Sequence, residues 1–264
     1  AGVAEQAMIG VSAGLALRGL RPFAYTIAPF ALYRPFEFIR DDLAYQNLPV
    51  TVVGIGGGVI YSALGATHHA QEDIAIASAV PNMSVIAPCD PLEARAATRF
   101  LASRGNGGPA YLRLAKAGEP TITSHAVDSF HFGRIRRIEM GTGDIAVLSY
   151  GVALHLASEV AAALRARGES VSLISCPTLK PLDLSGISEI LKGHNTVIVM
   201  EEHAPQGGLA SQVEQLAWRI QATCRLATFT LKDEFTHTYG THMDLLGEHG
   251  LTPSHVLHTL DGSP

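Results

Sequence analysis

The sequence has few of the residues that mark several common classes of protein. Its three cysteines, Cys89, Cys176 and Cys224, are odd in number and widely separated, with no C-x-x-C spacing, so neither a disulfide framework nor a zinc ribbon is predicted. Charged residues make up 16% of the chain, and the net charge of −5 comes without a long run of either sign, which argues against a nucleic-acid partner. We therefore expect a cytoplasmic protein that does not bind nucleic acid.

Long apolar runs are missing as well. No apolar stretch reaches the roughly 18 residues that span a bilayer, and no basic segment followed by a hydrophobic stretch opens the chain, so no membrane partner is predicted. The chain begins with Ala1, without methionine, and enters a helical pattern within a few residues. From this we expect that a segment upstream of Ala1 is missing.

What the sequence does contain is an alternation of helical and strand-like patterns. Small and apolar residues recur at helical spacing over 5–19, and 49–53 is a largely β-branched run typical of a buried parallel strand. Residues 116–129 interrupt the alternation with glycine, proline, serine and threonine. We therefore predict an α/β fold of two doubly wound domains with mainly parallel sheets, comprising residues 1–122 and 123–264.

Two features near the start of the chain could bind a flat, nitrogen-containing ring. Glu5 stands among small apolar residues, where desolvation would raise its pKa and let it share a proton with a ligand nitrogen; alternatively, it simply begins a helix. Phe30, Tyr33 and Phe36 are spaced to line one side of a slot for such a ring. The alternative for these aromatics is ordinary core packing.

A third feature is the pair His68 and His69, which follows a glycine-rich loop at 54–58. The loop lacks the Lys-Ser/Thr ending of a phosphate-binding loop. A histidine beside a flexible loop is available for proton transfer or for a hydrogen bond to a substrate. His68 and Glu72 stand four apart, but nothing nearby suggests a third ligand, so no metal site is predicted.

The second domain offers Glu201, Glu202 and His203 in succession, followed by two glycines at the predicted start of a helix. Paired carboxylates beside a histidine are compatible with catalysis. They are equally compatible with a strand end and a helix cap that fasten the domain, and the sequence alone leaves both alternatives open.

Several short segments are weak signals singly but form a specific combination in order. They are 2–6 (GVAEQ), 14–16 (GLA), Pro29-Phe30 with Tyr33 and Phe36, Thr67-His68, 81–84 (PNMS), 178–183 (TLKPLD), and Glu201-Glu202 with Gly207-Gly208. The combination resembles the C-terminal half of the transketolase-like thiamine diphosphate enzymes, in which a pyrimidine-binding domain precedes a smaller C-terminal domain. The first strand–helix unit of the pyrimidine domain is absent, so we expect either a fragment or an unusual protein.

The resemblance implies roles for individual residues. Glu5 would hydrogen-bond the ring nitrogen of the cofactor's aminopyrimidine and favour its imino tautomer, while Phe30, Tyr33 and Phe36 would line the pyrimidine pocket. His68, with His69 beside it, would contact the substrate.

The sequence departs from the family at two sugar-contacting positions. Leu64 and Gly56 stand where transketolases carry an acidic residue and a histidine, so sugar recognition must differ. The arginine that commonly binds the substrate phosphate aligns best with Lys116, with Arg113 close by. Lysine keeps the positive charge without the bidentate fork of arginine.

The resemblance also implies an assembly. The family's magnesium and diphosphate motif, Gly-Asp-Gly followed by an asparagine, does not occur in the sequence. We therefore expect a transketolase N-terminal subunit as partner, holding the magnesium and the diphosphate of thiamine diphosphate. This chain would be a homodimer within a heterotetramer, inactive alone, that transfers a two-carbon ketol unit between small sugars.

Two alternatives remain open. One is a 1-deoxyxylulose-5-phosphate synthase or a 2-oxo acid dehydrogenase beta subunit, which share much of the pattern. The other is a non-catalytic assembly subunit, suggested by the missing first unit and by Gly56 and Leu64.

Overall fold

The computed structural model of the chain describes residues 2–105 and 107–262. Each half of the chain builds a mainly parallel sheet flanked by helices, which confirms the predicted α/β fold. The first sheet has the order β1-β2-β4-β3-β8, with β1 Phe23–Ile27, β2 Thr51–Ile55, β3 Ser84–Ile86, β4 Ala110–Leu114 and β8 Thr178–Lys180. The second has the order β10-β9-β6-β7-β5, with β5 Arg136–Glu139, β6 Ile145–Ser149, β7 Val171–Ser175, β9 Thr196–Met200 and β10 Arg225–Phe229.

Helices cover the sheets and connect the parallel strands. In the first half they are α1 Glu5–Leu17, α2 Ala28–Leu32, α3 Phe36–Phe38, a π-helix Ile39–Tyr45, 3₁₀ turns Ser62–Leu64 and Ala66–His68, α4 Asp73–Ala79 and α5 Pro91–Ser103. In the second half they are α6 Ala153–Ala166, α7 Leu184–Gly193, α8 Leu209–Ile220, α9 His242–Glu248 and α10 Pro253–Leu260. Among the described residues, no helix is both long and apolar enough to cross a membrane.

The central strands are buried because helices cover both faces of each sheet. Val52 and Val85 of the first sheet and Val197 and Val199 of the second are all fully buried, as β-branched residues in parallel strands usually are. These four side chains belong to one continuous apolar cluster. The two halves of the chain therefore share a core.

The segment 178–183 contains a strand. β8 pairs antiparallel with β3, with Val85 opposite Lys180, so the second half of the chain adds an edge strand to the first sheet. The Lys180 ammonium donates hydrogen bonds to the carbonyl oxygens of Ser78 at 2.8 Å and Val80 at 2.6 Å. A cation suits this place because carbonyls at the end of α4 carry partial negative charge. No local pattern in the sequence indicates this strand, because its pairing joins segments about 95 residues apart.

Candidate active site

Glu5 begins α1 and is bound by an arginine. Its side chain is 9% exposed, and Arg34 Nη1 donates to Oε2 at 3.0 Å. Burial by itself raises the pKa of Glu5, but the hydrogen bond and charge of Arg34, with a backbone hydrogen bond, outweigh it and lower the pKa from its usual value. The prediction that burial would raise this pKa is therefore wrong for the chain by itself, because it did not include Arg34.

Arg34 also connects Glu5 to two other predicted residues. Its guanidinium carbon lies 4.3 Å from the centroid of the Phe30 ring, a cation–π contact. The other neighbour of Phe30 is His68, whose ring meets it edge to face with centroids 5.2 Å apart. We call Glu5, Phe30, Arg34 and His68 the Arg34 cluster. It brings together a carboxylate, an aromatic face and a half-buried imidazole.

Tyr33 and Phe36, the other two aromatics of the series, make contacts different from those of Phe30. The Tyr33 hydroxyl donates to Glu72 Oε2 at 3.0 Å and accepts from the backbone N–H of Glu72 at 3.2 Å. Burial, together with the charges of Asp73 and Glu72, raises the pKa of Tyr33, so it remains a neutral donor. Phe36 is half-buried against the shared core. Tyr33 thus fastens the segment that follows His68, whereas Phe36 packs as ordinary core.

The residues predicted to bind substrate divide into accessible and buried ones. His68 is half-buried, and Lys116 is exposed, with Nζ 5.5 Å from the centroid of the Tyr61 ring. His69 and Arg113 are only 5% and 6% exposed. Burial lowers the pKa of His69 despite the nearby charge of Glu202, which favours a neutral ring.

Arg113 holds the two halves of the chain together. Its Nε donates to Asp73 Oδ2 at 2.8 Å, and its Nη2 donates to the carbonyl oxygen of Glu202 at 2.9 Å. With its charge engaged by Asp73 inside the fold, the guanidinium is not available to a substrate phosphate. Of the two basic residues predicted for that role, only Lys116 has the accessibility that it requires.

The carboxylates of Glu201 and Glu202 in the second domain accept hydrogen bonds from backbone N–H groups within the fold. Glu201 accepts from the backbone N–H groups of Leu209 and Ala210, each at 2.8 Å, and so satisfies the start of α8. Glu202 Oε1 accepts from the N–H of Val59 at 2.6 Å and contacts His242 Nε2 at 2.9 Å. Both glutamates are almost completely buried. The sequence left two alternatives open, catalysis or a structural role at a strand end and helix cap, and these bonds favour the structural role.

The glycine-rich loop at 54–58 packs against the same contact between the two halves of the chain. A Cβ atom at Gly57 would collide with the Arg113 guanidinium, and one at Gly58 would collide with the Glu202 carboxylate. The loop is buried, and its glycines let the backbone approach these two charged groups closely. The loop therefore lies inside the chain and does not form an exposed wall of the ring pocket.

Sequence reasoning missed two residues here, Arg34 within the cluster and Tyr239 beside it. Arg34 had a visible signal, because it stands directly between the aromatics Tyr33 and Phe36. Tyr239 had none, because it comes from the second domain. A Cβ at Gly65 would lie 3.3 Å from the Tyr239 hydroxyl, and the Gly65 carbonyl accepts from the N–H of His68 at 2.9 Å. The Tyr239 ring thus covers the turn that carries His68.

Glu5 and Phe30 offer contacts that suit a thiamine pyrimidine and do not suit a metal ion. Across residues 2–105 and 107–262, no three His, Cys, Asp or Glu side chains gather as metal ligands. The guanidinium of Arg34 is flat, bears N–H groups, lies over Phe30 and donates to Glu5. A flat aminopyrimidine needs the same two contacts, a carboxylate at its edge and an aromatic neighbour. Glu5 and Phe30 are therefore the residues that would hold it.

Fold and site together define a class: an α/β domain that presents a carboxylate, an aromatic ring and a histidine, joined to a second α/β domain. Comparison with known families agrees. Residues 1–119 match the family described as "Transketolase, pyrimidine binding domain", and residues 133–256 match "Transketolase, C-terminal domain".

Individual relatives support the same assignment. An apulose-4-phosphate transketolase subunit of Phocaeicola vulgatus is 33% identical over 212 residues, which cover 80% of this chain and 67% of the relative. The 1-deoxy-D-xylulose-5-phosphate synthase 2 of Jannaschia sp. is 33% identical over 258 residues, covering 97% of this chain and 40% of that longer protein. A solved structure described as a split-gene transketolase, an inactive β4 tetramer, has a TM-score of 0.87 at 32% identity, covering 99% of this chain and 82% of that one. The chain belongs to the transketolase family, which implies dependence on thiamine diphosphate.

Proposed function

We propose that this chain is the pyrimidine-binding subunit of a thiamine diphosphate-dependent transketolase that transfers a two-carbon ketol unit between sugars. The observation that carries the proposal is the Arg34 cluster, in which a carboxylate and an aromatic ring contact the same flat N–H-bearing group beside an accessible histidine. Their coexistence in one cluster is better explained by a ligand site than by helix capping or core packing.

Each residue of the cluster has a distinct part in the proposed site. Thiamine diphosphate, when bound, supplies the chemistry that breaks and forms carbon–carbon bonds. Glu5 accepts a hydrogen bond from the pyrimidine ring nitrogen and orients the ring, and Phe30 packs against the ring. His68, held by Phe30 and by Thr67 Oγ1 at 3.1 Å from its Nδ1, donates to or accepts from the sugar hydroxyls and carbonyl. Tyr33 anchors the segment after His68 through Glu72, and Phe36 packs against the shared core.

The diphosphate and magnesium belong to a partner in this proposal. The diphosphate motif is absent between Ala1 and Pro264, and the relative from Phocaeicola vulgatus is itself described as one subunit of a transketolase. A transketolase N-terminal subunit would hold both groups. Lys116, exposed beside Tyr61, is the residue proposed for an anionic group on the sugar. The cytoplasmic location stays a prediction from the scattered cysteines.

Self-association completes the proposed assembly. Helix α1 is largely apolar, yet Val11 and Leu15, one turn apart on its outer face, are 63% and 41% exposed. A helix of this kind is normally covered on both faces. We propose that the outer face of α1 contributes to a homodimer, which two N-terminal subunits extend to a heterotetramer. The similar split-gene transketolase is described as a β4 tetramer, which supports contact between copies of such chains.

Reconstitution tests the proposal. The chain is mixed with a candidate diphosphate-binding subunit, thiamine diphosphate and magnesium, and ketol transfer from a ketose is measured. We expect activity from the mixture and none from either subunit alone. Glu5→Ala should lower turnover about 100-fold or more, whereas Glu37→Ala, at an exposed carboxylate on α3, should not. Full activity after Glu5→Ala would refute the proposed site.

A second candidate reaction is synthesis of 1-deoxyxylulose 5-phosphate, favoured by the similarity to the synthase of Jannaschia sp.. Supplying pyruvate with an aldose phosphate, in place of a ketose, separates the two reactions. A non-catalytic role would appear differently: the chain would bind the partner without changing the partner's affinity for thiamine diphosphate.

A further inference from the structure

The side chain of Arg34 makes both contacts that the cofactor's aminopyrimidine would need. It donates to Glu5 at 3.0 Å and lies over the Phe30 ring at 4.3 Å. The guanidinium is planar and delocalised, so it can pack on an aromatic face while donating in its own plane. Because Glu5 and Phe30 are engaged by Arg34, a second flat donor cannot take both places while Arg34 stays.

The side chain of Arg34 can move away from Glu5 and Phe30. Its side chain is 39% exposed, whereas that of Glu5 is 9% exposed. Water can hydrate the guanidinium once its contact with Glu5 is lost, so the cost of breaking the pair falls on the buried carboxylate, which then needs another hydrogen-bond donor. The backbone of Arg34, by contrast, is held by Gln6, whose Nε2 donates to the Arg34 carbonyl oxygen at 3.4 Å. The side chain can therefore swing into solvent while the chain between α2 and α3 stays in place.

Removing Arg34 also changes what Glu5 can do. An ionised Glu5 paired with a cation is a poor partner for a ring nitrogen that must gain positive character as it shares a proton, because the arginine repels that charge at short range. A Glu5 freed of Arg34 is a desolvated carboxylate without a counter-charge, which favours sharing a proton with the ring nitrogen. Displacing Arg34 should therefore favour binding of the aminopyrimidine in two ways: it frees the contacts with Glu5 and Phe30, and it removes a positive charge beside Glu5.

We propose that Arg34 is a gate residue of the cofactor site, which closes the site by occupying Glu5 and Phe30 and must be displaced when the aminopyrimidine binds. This inference rests on the proposed function, because it takes Glu5 and Phe30 to be pyrimidine contacts. It assigns to Arg34 a role in the affinity for cofactor, separate from the role of His68 toward the sugar.

Isothermal titration calorimetry of thiamine diphosphate with magnesium tests the gate. The complex with the diphosphate-binding subunit is used, and the chain alone is titrated in parallel. Arg34→Ala should bind the cofactor about three- to thirtyfold more tightly than wild type, the range expected from losing one partly exposed ion pair and one cation–π contact. Arg34→Lys keeps the charge without the flat fork and should fall between. Arg40→Ala, which removes an exposed arginine of the neighbouring π-helix paired with Asp41, is the matched control and should bind like wild type.

A double variant distinguishes the gate from a general loosening of the pocket. In a Glu5→Ala background, Arg34→Ala should gain less affinity than in wild type, since only the Phe30 contact remains to be released. Unchanged or weaker binding by Arg34→Ala, while Glu5→Ala still weakens binding, would overturn the gate and leave the proposed function standing. Loss of any effect from Glu5→Ala would overturn the proposed function itself. Absence of binding in all variants, in the complex and in the chain alone, would overturn both.

Discussion

Arg113 and Asp73 form a buried ion pair at the junction of the two domains, with Nε 2.8 Å from Oδ2 and the two side chains 6% and 0% exposed. The Tyr111 hydroxyl donates to the same oxygen at 2.8 Å. Because Arg113 also donates to the Glu202 carbonyl oxygen, one charged group ties the first sheet to the second. The charges are satisfied within the fold, so the cost of burying them is offset only while all partners are present.

Removing one partner of this pair should therefore destabilise the protein strongly. We expect Arg113→Ala to lower the free energy of unfolding by about 3–5 kcal/mol, since it leaves Asp73 buried and unpaired. Arg40→Ala breaks an exposed pair with Asp41 and should cost about 1 kcal/mol or less. Urea unfolding followed by circular dichroism measures both. Equal stability of the two variants would contradict the structural role of Arg113.

Arg113 also shows what sequence reasoning could not reach. It stands close to Lys116, where the resemblance places a phosphate-binding arginine, so a contact with substrate phosphate was expected. The carboxylate that engages it lies 40 residues earlier in the chain, and a single sequence gives no sign of that contact. Glu201 and Glu202 were ambiguous for the same reason, since only the contacts with α8, Val59 and His242 distinguish a fastener from a catalytic pair.

The strands and helices were more predictable than the junction between domains. Runs such as β2 and β9 are recognisable because both faces of a parallel strand are buried and every residue can be apolar. The short helix α3 continues as a π-helix, a change that the sequence does not show because an apolar spacing of four, as between Ile39 and Leu43, suits both helical forms. β8 was missed because three residues paired with a distant strand carry no periodicity of their own.

The close approach at Gly58 leads to a second prediction. Its φ of +72° lies in the left-handed region, and a Cβ atom would collide with the Glu202 carboxylate. Gly58→Ala should lower stability by about 1–3 kcal/mol from backbone strain, and by more if Glu202 loses its bond to Val59. Gly193→Ala, at the end of α7 with open space around the added methyl, is the matched control. Thermal unfolding should show a clear loss for the first variant and little change for the second.

The contact between His242 and Glu202 should make stability depend on pH. Burial lowers the pKa of His242, but the hydrogen bond and charge of Glu202 outweigh it, and the pKa is raised from 6.5. A raised pKa means that the folded state binds the proton more tightly than the unfolded chain does. The stabilisation is therefore fully present below about pH 6.5 and is lost as the pH rises through the folded-state value.

Comparing variants isolates this effect. The loss of stability on His242→Gln should be larger at pH 6 than at pH 9, measured by urea unfolding at each pH. His69 and His249, whose pKa values are lowered by burial and which also feel the charge of Glu202, are present in both proteins, so their contributions largely cancel in the difference. His237→Gln, in an exposed loop, serves as the control. The same dependence on pH in both variants would refute the assignment to His242.

The outer face of α1 gives the last prediction, which concerns assembly. Val11 is 63% exposed on an apolar helix, and Val127, between the two domains, is 64% exposed among polar neighbours. If copies of this chain associate through α1, a carboxylate at position 11 would be buried without a partner, at a cost that weakens association at least tenfold. The same substitution at position 127 would stay in water. Sedimentation at micromolar concentration should therefore show Val11→Glu shifted toward monomer, and Val127→Glu like wild type.

Both variants should keep the circular dichroism spectrum of wild type, because glutamate is a good helix former and neither site is in the core. A Val11→Glu protein that self-associates as strongly as wild type would exclude α1 as the interface and would direct the search to other exposed apolar side chains, such as Trp218 on α8.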